Sequence, residues 1–209
     1  MNIEEYGKFR RKVNPKRYGA IFDIIMEGKK KHLMELGTYK GKRAKQMIEV
    51  AKIHNIVCNI EYWGFDLFEL MTDEIYKKEM SKRPPNREWV FNKLSETGAN
   101  IFLYRGDTKV VLPKIVDNLK YSDIDFIFID GGHSVETIES DWSYVKEIMG
   151  ENTTVIFDDY YENKTDFGCN GIINKLDTSE YNINLLDPME VYPQKWGDLY
   201  IRMVKVEKK

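Results

Sequence analysis

Along this chain, short apolar runs of strand length alternate about five times with stripes of helical spacing, and a glycine or an acid stands at or just after the end of each run. The runs are His32–Gly37, Ile60–Asp66, Ile101–Tyr104, Asp125–Asp130 and Thr154–Phe157. Ala44, Met47, Ile48 and Ala51 form the stripe after the first run, and Val135, Ile138, Trp142, Val145 and Met149 the stripe after the fourth. Strand-sized runs followed by amphipathic helices require crossover connections, which set the strands parallel and cover both faces of one sheet.

Two further strands, near Ile183–Leu186 and Leu199–Val206, have no long helix between them and can pair as a hairpin. The expected fold is therefore α/β. It is a Rossmann-like, doubly wound, mostly parallel seven-stranded sheet with an antiparallel C-terminal strand, in three α/β/α layers. A length of 209 residues suits one such domain over 1–209. A helix is expected over Pro15–Lys31, within an N-terminal helical segment over 1–31. The connection over 67–99 is long, is broken by Arg83-Pro-Pro-Asn86, and is the candidate lid, with a helix from Arg87.

In doubly wound sheets ligands sit beyond the carboxyl ends of the strands, so the residues there carry the functional reading. The first strand runs into Glu35-Leu-Gly-Thr-Tyr-Lys-Gly41. Gly37 and Gly41 allow a tight turn and close backbone approach, and the next helix offers free N–H groups. Thr38-Tyr39-Lys40 stands where a dinucleotide fingerprint has its middle glycine, which leaves room for a carboxylate rather than a pyrophosphate. Asp66, closing the second strand, is placed to accept from ribose hydroxyls. Gly106-Asp107 follows the third strand, where Asp107 can face a base amino group or cap the next helix.

These residues resemble a known family. Glu35–Gly41 looks like the first motif of class I S-adenosylmethionine (SAM)-dependent methyltransferases. Phe126-Ile-Phe-Ile-Asp-Gly-Gly-His-Ser134 and Val155-Ile-Phe-Asp-Asp-Tyr160 look like the methyltransferase-24 type, which is similar to the macrocin and catechol O-methyltransferases. The resemblance covers roughly His32 to Leu176. It implies that Glu35, Gly37, Thr38 and Gly41 hold the methionine end of SAM, Asp66 the ribose, and Gly106 and Asp107 the adenine side, with Asp130 touching the cofactor as well.

Asp130, Asp158 and Asp159 fall at the ends of the fourth and fifth strands, which are neighbours in such a sheet. Three unpaired carboxylates in one cleft repel one another, and a divalent cation such as Mg²⁺ removes that conflict. Related metal-dependent O-methyltransferases have acidic or amide ligands at these positions, so a metal on Asp130, Asp158 and Asp159 is expected. His133 lies where those enzymes carry a lysine base, and a histidine can take a proton near neutrality. His133 and Asp130 are thus the catalytic candidates. A sugar-like hydroxyl is the leading acceptor, because the resembling subgroup includes sugar O-methyltransferases.

Two alternatives stay open: an NAD(P)-dependent Rossmann oxidoreductase, and a binding module that kept the fold without the chemistry. A nucleic-acid methyltransferase is disfavoured, because the Asp-Asp-Tyr segment lacks the Asn/Asp-Pro-Pro-aromatic motif and the net charge is −2. Charge is nonetheless uneven: Met1–Lys52 carries 14 Lys/Arg against 6 Asp/Glu, which reads as a solvated surface or as a basic rim drawing an acidic acceptor. No run reaches membrane-span length, no leader pattern opens the chain, and neither Cys58 nor Cys169 sits in a CxxC pair. A cytoplasmic protein acting on a small molecule, of unread oligomeric state, is expected.

Overall fold

The central strand of the sheet, β1 (His32–Leu36), pairs in parallel with β2 (Glu61–Asp66) on one side and with β4 (Phe126–Ile129) on the other. The computed structural model describes residues 1–55, 59–79 and 82–209, so Cys58 and positions 80–81 of the expected lid lie outside the described residues. Beyond β2 stands β3 (Asn100–Arg105), and beyond β4 stands β5 (Thr154–Tyr161), both parallel to their neighbours. The hairpin of β6 (Tyr181–Gln194) and β7 (Gly197–Lys208) completes seven strands in the order β3-β2-β1-β4-β5-β7-β6, with β7 antiparallel to β5 and to β6. This is the expected architecture. β6 runs well beyond the apolar core that announced it, with a largely exposed second half, whereas β7 extends its own core by two residues at each end.

Strand alternation separates two cores. In β4, Phe126 and Phe128 face one cluster while Ile127 and Ile129 face the other, all four buried. The first cluster is closed by α2 (Gly19–Glu27), α3 (Lys42–Ala51) and α5 (Arg87–Ser95). The second is closed by α6 (Thr108–Leu119), α7 (Val135–Ile148) and the short α8 (Asn170–Ile173). The predicted stripes are the buried ones: Ala44, Met47, Ile48 and Ala51 of α3, and Ile138, Trp142 and Val145 of α7.

The N-terminal region departs from the expected single helix. Ile3–Lys12 forms α1, started by a capping box in which the Asn2 side chain accepts from the Glu5 N–H and Glu5 accepts from the Asn2 N–H. A single 3₁₀ turn, Lys16–Tyr18, then precedes α2. The connection after β2 is likewise not a bare loop. It holds a 3₁₀ turn at Phe68–Leu70, then α4 (Asp73–Lys78) capped by Thr72, and then α5 capped by Asn86.

Candidate active site

Between β1 and β4 the chain order reverses direction across the sheet, and a crevice opens there at the carboxyl ends of the strands. It is a cavity of about 730 Å³, a size suited to a nucleoside-bearing cofactor with room to spare. Glu35, Gly37, Thr38, Asp66, Gly106, Asp107, Asp130, His133, Asp158 and Asp159 all line it. Residues scattered over more than a hundred positions are thus brought to one rim. Gly41 stands outside the lining. It caps α3 with a left-handed backbone (φ 63°), and a Cβ there would meet Val90 and Leu94 of α5.

Local geometry explains why these residue types occur where they do. Gly37 has φ 101°, and a Cβ on it would come within 2.1 Å of the Asp130 carbonyl oxygen, so the β1 turn can pass over the end of β4 only as glycine. Asp66 holds that turn in place, accepting from the Tyr39 N–H at 2.6 Å and the Phe68 N–H at 3.0 Å. Glu35 is buried and accepts a short hydrogen bond from the Tyr62 hydroxyl. Burial pushes its carboxyl up to about 8, against that hydrogen bond. Asp107 caps α6 through the Lys109 N–H at 2.9 Å while lining the cavity. Asp141 of α7 was not foreseen. It also lines the cavity, is 1% exposed, and leaves Oδ1 with no hydrogen-bond partner. An orphan acceptor on the wall of a cavity is a place where a ligand donor belongs.

The acidic end differs most from expectation. Pairing of β5 with β7 slips between Phe157 and Tyr160, and Asp159 takes a left-handed backbone (φ 60°), so Asp158 and Asp159 are turned to different partners. The Arg17 guanidinium forks onto Asp158, with Nε to Oδ1 at 2.8 Å and Nη2 to Oδ2 at 2.9 Å. The Tyr18 hydroxyl lies 2.9 Å from Asp158 Oδ2 and 3.1 Å from Asp130 Oδ2. Asp159 Oδ2 sits 3.1 Å from His133 Nε2. Among the described residues no group of three or more His, Cys, Asp or Glu side chains is disposed to hold a metal ion. The expected divalent cation on Asp130, Asp158 and Asp159 therefore does not fit this arrangement: both oxygens of Asp158 already face a buried guanidinium.

The expected role of His133 also needs revision. Its Nδ1 faces the Glu79 carbonyl oxygen at 2.7 Å and its Nε2 faces Asp159. Both partners only accept, so both ring nitrogens carry hydrogens. Burial opposes that charge, but the Asp159 contact outweighs it and holds the imidazole at about 9. His133 is thus an imidazolium with no free lone pair. Asp130 is its opposite: burial, followed by Asp158, Asp159 and Glu35, raises its carboxyl well above the ordinary range. Neither Arg17 nor Tyr18 was signalled in the sequence, since a basic residue and a tyrosine ahead of an apolar stripe look like any helix entrance. Of the aromatic residues near the strand ends, Tyr192 reaches the cavity and contacts Arg17 Nη1 at 3.0 Å, whereas Trp196 is 61% exposed.

Comparison with known proteins agrees with this geometry. A family model described as a methyltransferase domain, of the methyltransferase-24 type, matches residues 34–160, more than half of the chain. An uncharacterized protein of Acanthamoeba polyphaga mimivirus is 25% identical over 171 residues, covering 79% of this chain and 70% of that protein. The O-methyltransferase from Bacillus cereus in complex with SAH superimposes with a TM-score of 0.63 at 13% identity, over 99% of this chain and 90% of that one. The O-methyltransferase TomG of Streptomyces achromogenes, in complex with SAM, gives 0.59 at 10% identity, over 99% and 88%. A crevice at the switch point of the sheet, a glycine turn laid over the end of β4, and a family match spanning β1 to β5 lead to one conclusion: the chain belongs to the methyltransferase-24 family and is a class I, Rossmann-like, SAM-dependent methyltransferase.

Proposed function

We propose that this enzyme methylates a hydroxyl of a small molecule, with a sugar-like acceptor as the leading class. The observation that carries the proposal is the gathering of Glu35, Gly37, Thr38, Asp66, Gly106, Asp107 and Asp130 around one cavity with an unsatisfied buried acceptor, Asp141. The set fits SAM. The Gly37 turn and the start of α3 suit an amino-acid carboxylate, Asp66 suits ribose hydroxyls, and Asp107 with Asp141 suits a base amino group. Gly41 supports the site by letting α5 pack close. When bound, SAM supplies an electrophilic methyl group on a sulfonium.

The chain's own residues then orient the acceptor and take its proton. Asp130 is the candidate base: in its ionised form an Asp130 oxygen would hold the proton that the acceptor hydroxyl gives up when its oxygen displaces the sulfur from the methyl group. The His133 imidazolium holds Asp159 in place and acts as a positioning residue. Tyr18 holds Asp130 by its hydroxyl. Lys40, Lys42, Lys78 and Lys82 stand along the rim, which favours an acceptor bearing a carboxylate or phosphate. The segment over 67–99 supplies Met71, Ile75, Lys78 and Glu79 to the cavity wall and serves as its lid, within a domain spanning 1–209. No described helix is long and apolar enough to cross a membrane, and the described cysteine, Cys169, is buried, in keeping with a cytoplasmic enzyme.

The test is calorimetric. S-adenosylhomocysteine (SAH) should bind and raise the melting temperature, and NADH should do neither. Asp66→Asn should weaken SAH about tenfold or more through lost ribose contacts. Tight NADH binding, or SAH affinity unmoved by Asp66→Asn, would refute the assignment. Turnover against a panel of anionic sugars separates an enzyme from a binding module.

A further inference from the structure

We infer that Arg17 occupies the cation position of this site, so that two organic cations stand where a divalent metal would and the enzyme takes up no metal there. The inference rests on the methyltransferase reading only in naming the site. Its observations are independent of the cofactor.

Three carboxylates meet at the ends of β4 and β5, and each has a side-chain partner in place of a metal ion. Asp158, 3% exposed, receives the Arg17 fork through two parallel N–H bonds, the geometry in which a guanidinium matches a carboxylate best. Asp159 receives His133. Asp130 receives the Tyr18 hydroxyl, which it shares with Asp158. A Mg²⁺ ion needs near-octahedral oxygen ligands at about 2.0–2.1 Å, and Asp158 has none to offer: Oδ1 accepts from Arg17 Nε and the Asp159 N–H, and Oδ2 from Arg17 Nη2 and the Tyr18 hydroxyl.

The fork is also firmly built. The remaining Arg17 nitrogen, Nη1, contacts Glu190 Oε2 at 2.6 Å and the Tyr192 hydroxyl at 3.0 Å, both on β6. Glu190 Oε1 in turn accepts from the Lys16 backbone N–H at 2.5 Å. The Arg17 side chain is 9% exposed, and the Arg43 guanidinium covers the Tyr18 ring at 3.9 Å. An arginine is never neutral in a protein, so the position carries a permanent positive charge without exchange. Arg17 is accordingly a positioning residue: it holds Asp158, and through Tyr18 it fixes Asp130 beside the reacting atoms.

The experiment is Mn²⁺ binding followed by electron paramagnetic resonance, with and without SAH, on chelator-treated protein. The wild type should leave the free-ion signal intact, with any Kd above about 1 mM, and Mn²⁺ or Mg²⁺ should not move its melting temperature. Arg17→Ala should uncover the carboxylates, quench the Mn²⁺ signal and melt higher when Mn²⁺ is added. Arg17→Gln, which keeps most of the side-chain volume, serves the same purpose should the alanine variant not fold. Sub-millimolar Mn²⁺ binding by the wild type overturns the inference, and so does a folded Arg17 variant that takes up no Mn²⁺, since the place would then not be a cation position. SAH is titrated in the same samples. A wild type that ignores SAH refutes the methyltransferase site and leaves the cation result standing.

Discussion

Asp141→Asn should stabilise the protein, and increasingly so as pH rises. Asp141 is 1% exposed on α7, its Oδ1 has no partner, and burial pushes its carboxyl up from 3.8 to about 7, against a hydrogen bond from Thr108. A carboxyl held neutral in the folded chain but free to ionise when unfolded favours the folded state fully only below its unfolded value. That advantage is lost as pH climbs to the folded value and does not change further above it. Each pH unit across that window is worth 1.36 kcal/mol, so the whole loss is about 4 kcal/mol, on the order of half the stability of an ordinary domain. Asparagine cannot ionise in either state. Changes in packing are the same at every pH, so the difference between two pH values isolates the charge. Urea unfolding of both proteins at pH 5 and pH 8 should show the advantage of Asp141→Asn growing by about 2 to 3 kcal/mol between them. An advantage that stays constant within about 0.5 kcal/mol would refute the reasoning, for it would mean that the carboxyl ionises freely where it sits.

Gly37→Ala should cost about 3 kcal/mol or more and abolish SAH binding, because the new Cβ would meet the Asp130 carbonyl at a backbone angle that side chains avoid; a urea midpoint close to wild type would contradict this. Glu79 bonds the Ser134 N–H at 2.9 Å, the Ser134 hydroxyl at 2.8 Å and the Thr137 hydroxyl at 2.9 Å, tying α4 to the start of α7. Burial opposes its charge, but these bonds leave its carboxyl below the ordinary value, so its contribution is present above about pH 4.5 and fades as pH falls. Glu79→Gln should cost about 1–2 kcal/mol at pH 7 and progressively less toward pH 3, and should speed amide exchange over 67–79. Unchanged exchange there would mean that Glu79 does not tie this segment to α7.

The sheet was legible because its signal is physical and redundant. Every buried parallel strand needs an apolar run, and every crossover helix needs a stripe that matches it, as Ala44, Met47, Ile48 and Ala51 do. The rim was legible for a similar reason: strand ends in such a sheet converge, so Glu35, Asp66 and Asp130 had to meet near Gly37. The partners of those acids were not legible. Arg17 reaches Asp158 across 141 positions, and that contact depends on how a 3₁₀ turn enters α2. His133 reads as a base because of its residue type, and only the Glu79 carbonyl and Asp159 on either side of it show that its ring has no lone pair to give. Asp141 lies on the buried face of α7 with Ile138 and Trp142, and nothing in its residue type or spacing marks it as a cavity residue. The β5 bulge that separates Asp158 from Asp159 leaves no mark in the order of residues.

The clamp on Arg17 couples the turn before α2 to the β6–β7 hairpin, 173 positions further on. One edge of the guanidinium grips Asp158 on β5, and the other grips Glu190 on the hairpin that follows β5 in the chain. A nascent chain that has made β1 to β5 can already close the Arg17 fork on Asp158, yet the Nη1 side of the guanidinium has no partner until β6 arrives. Full bracing of the acidic rim therefore waits on β6, and a chain cut short before Tyr181 would hold Arg17 from the Asp158 side alone.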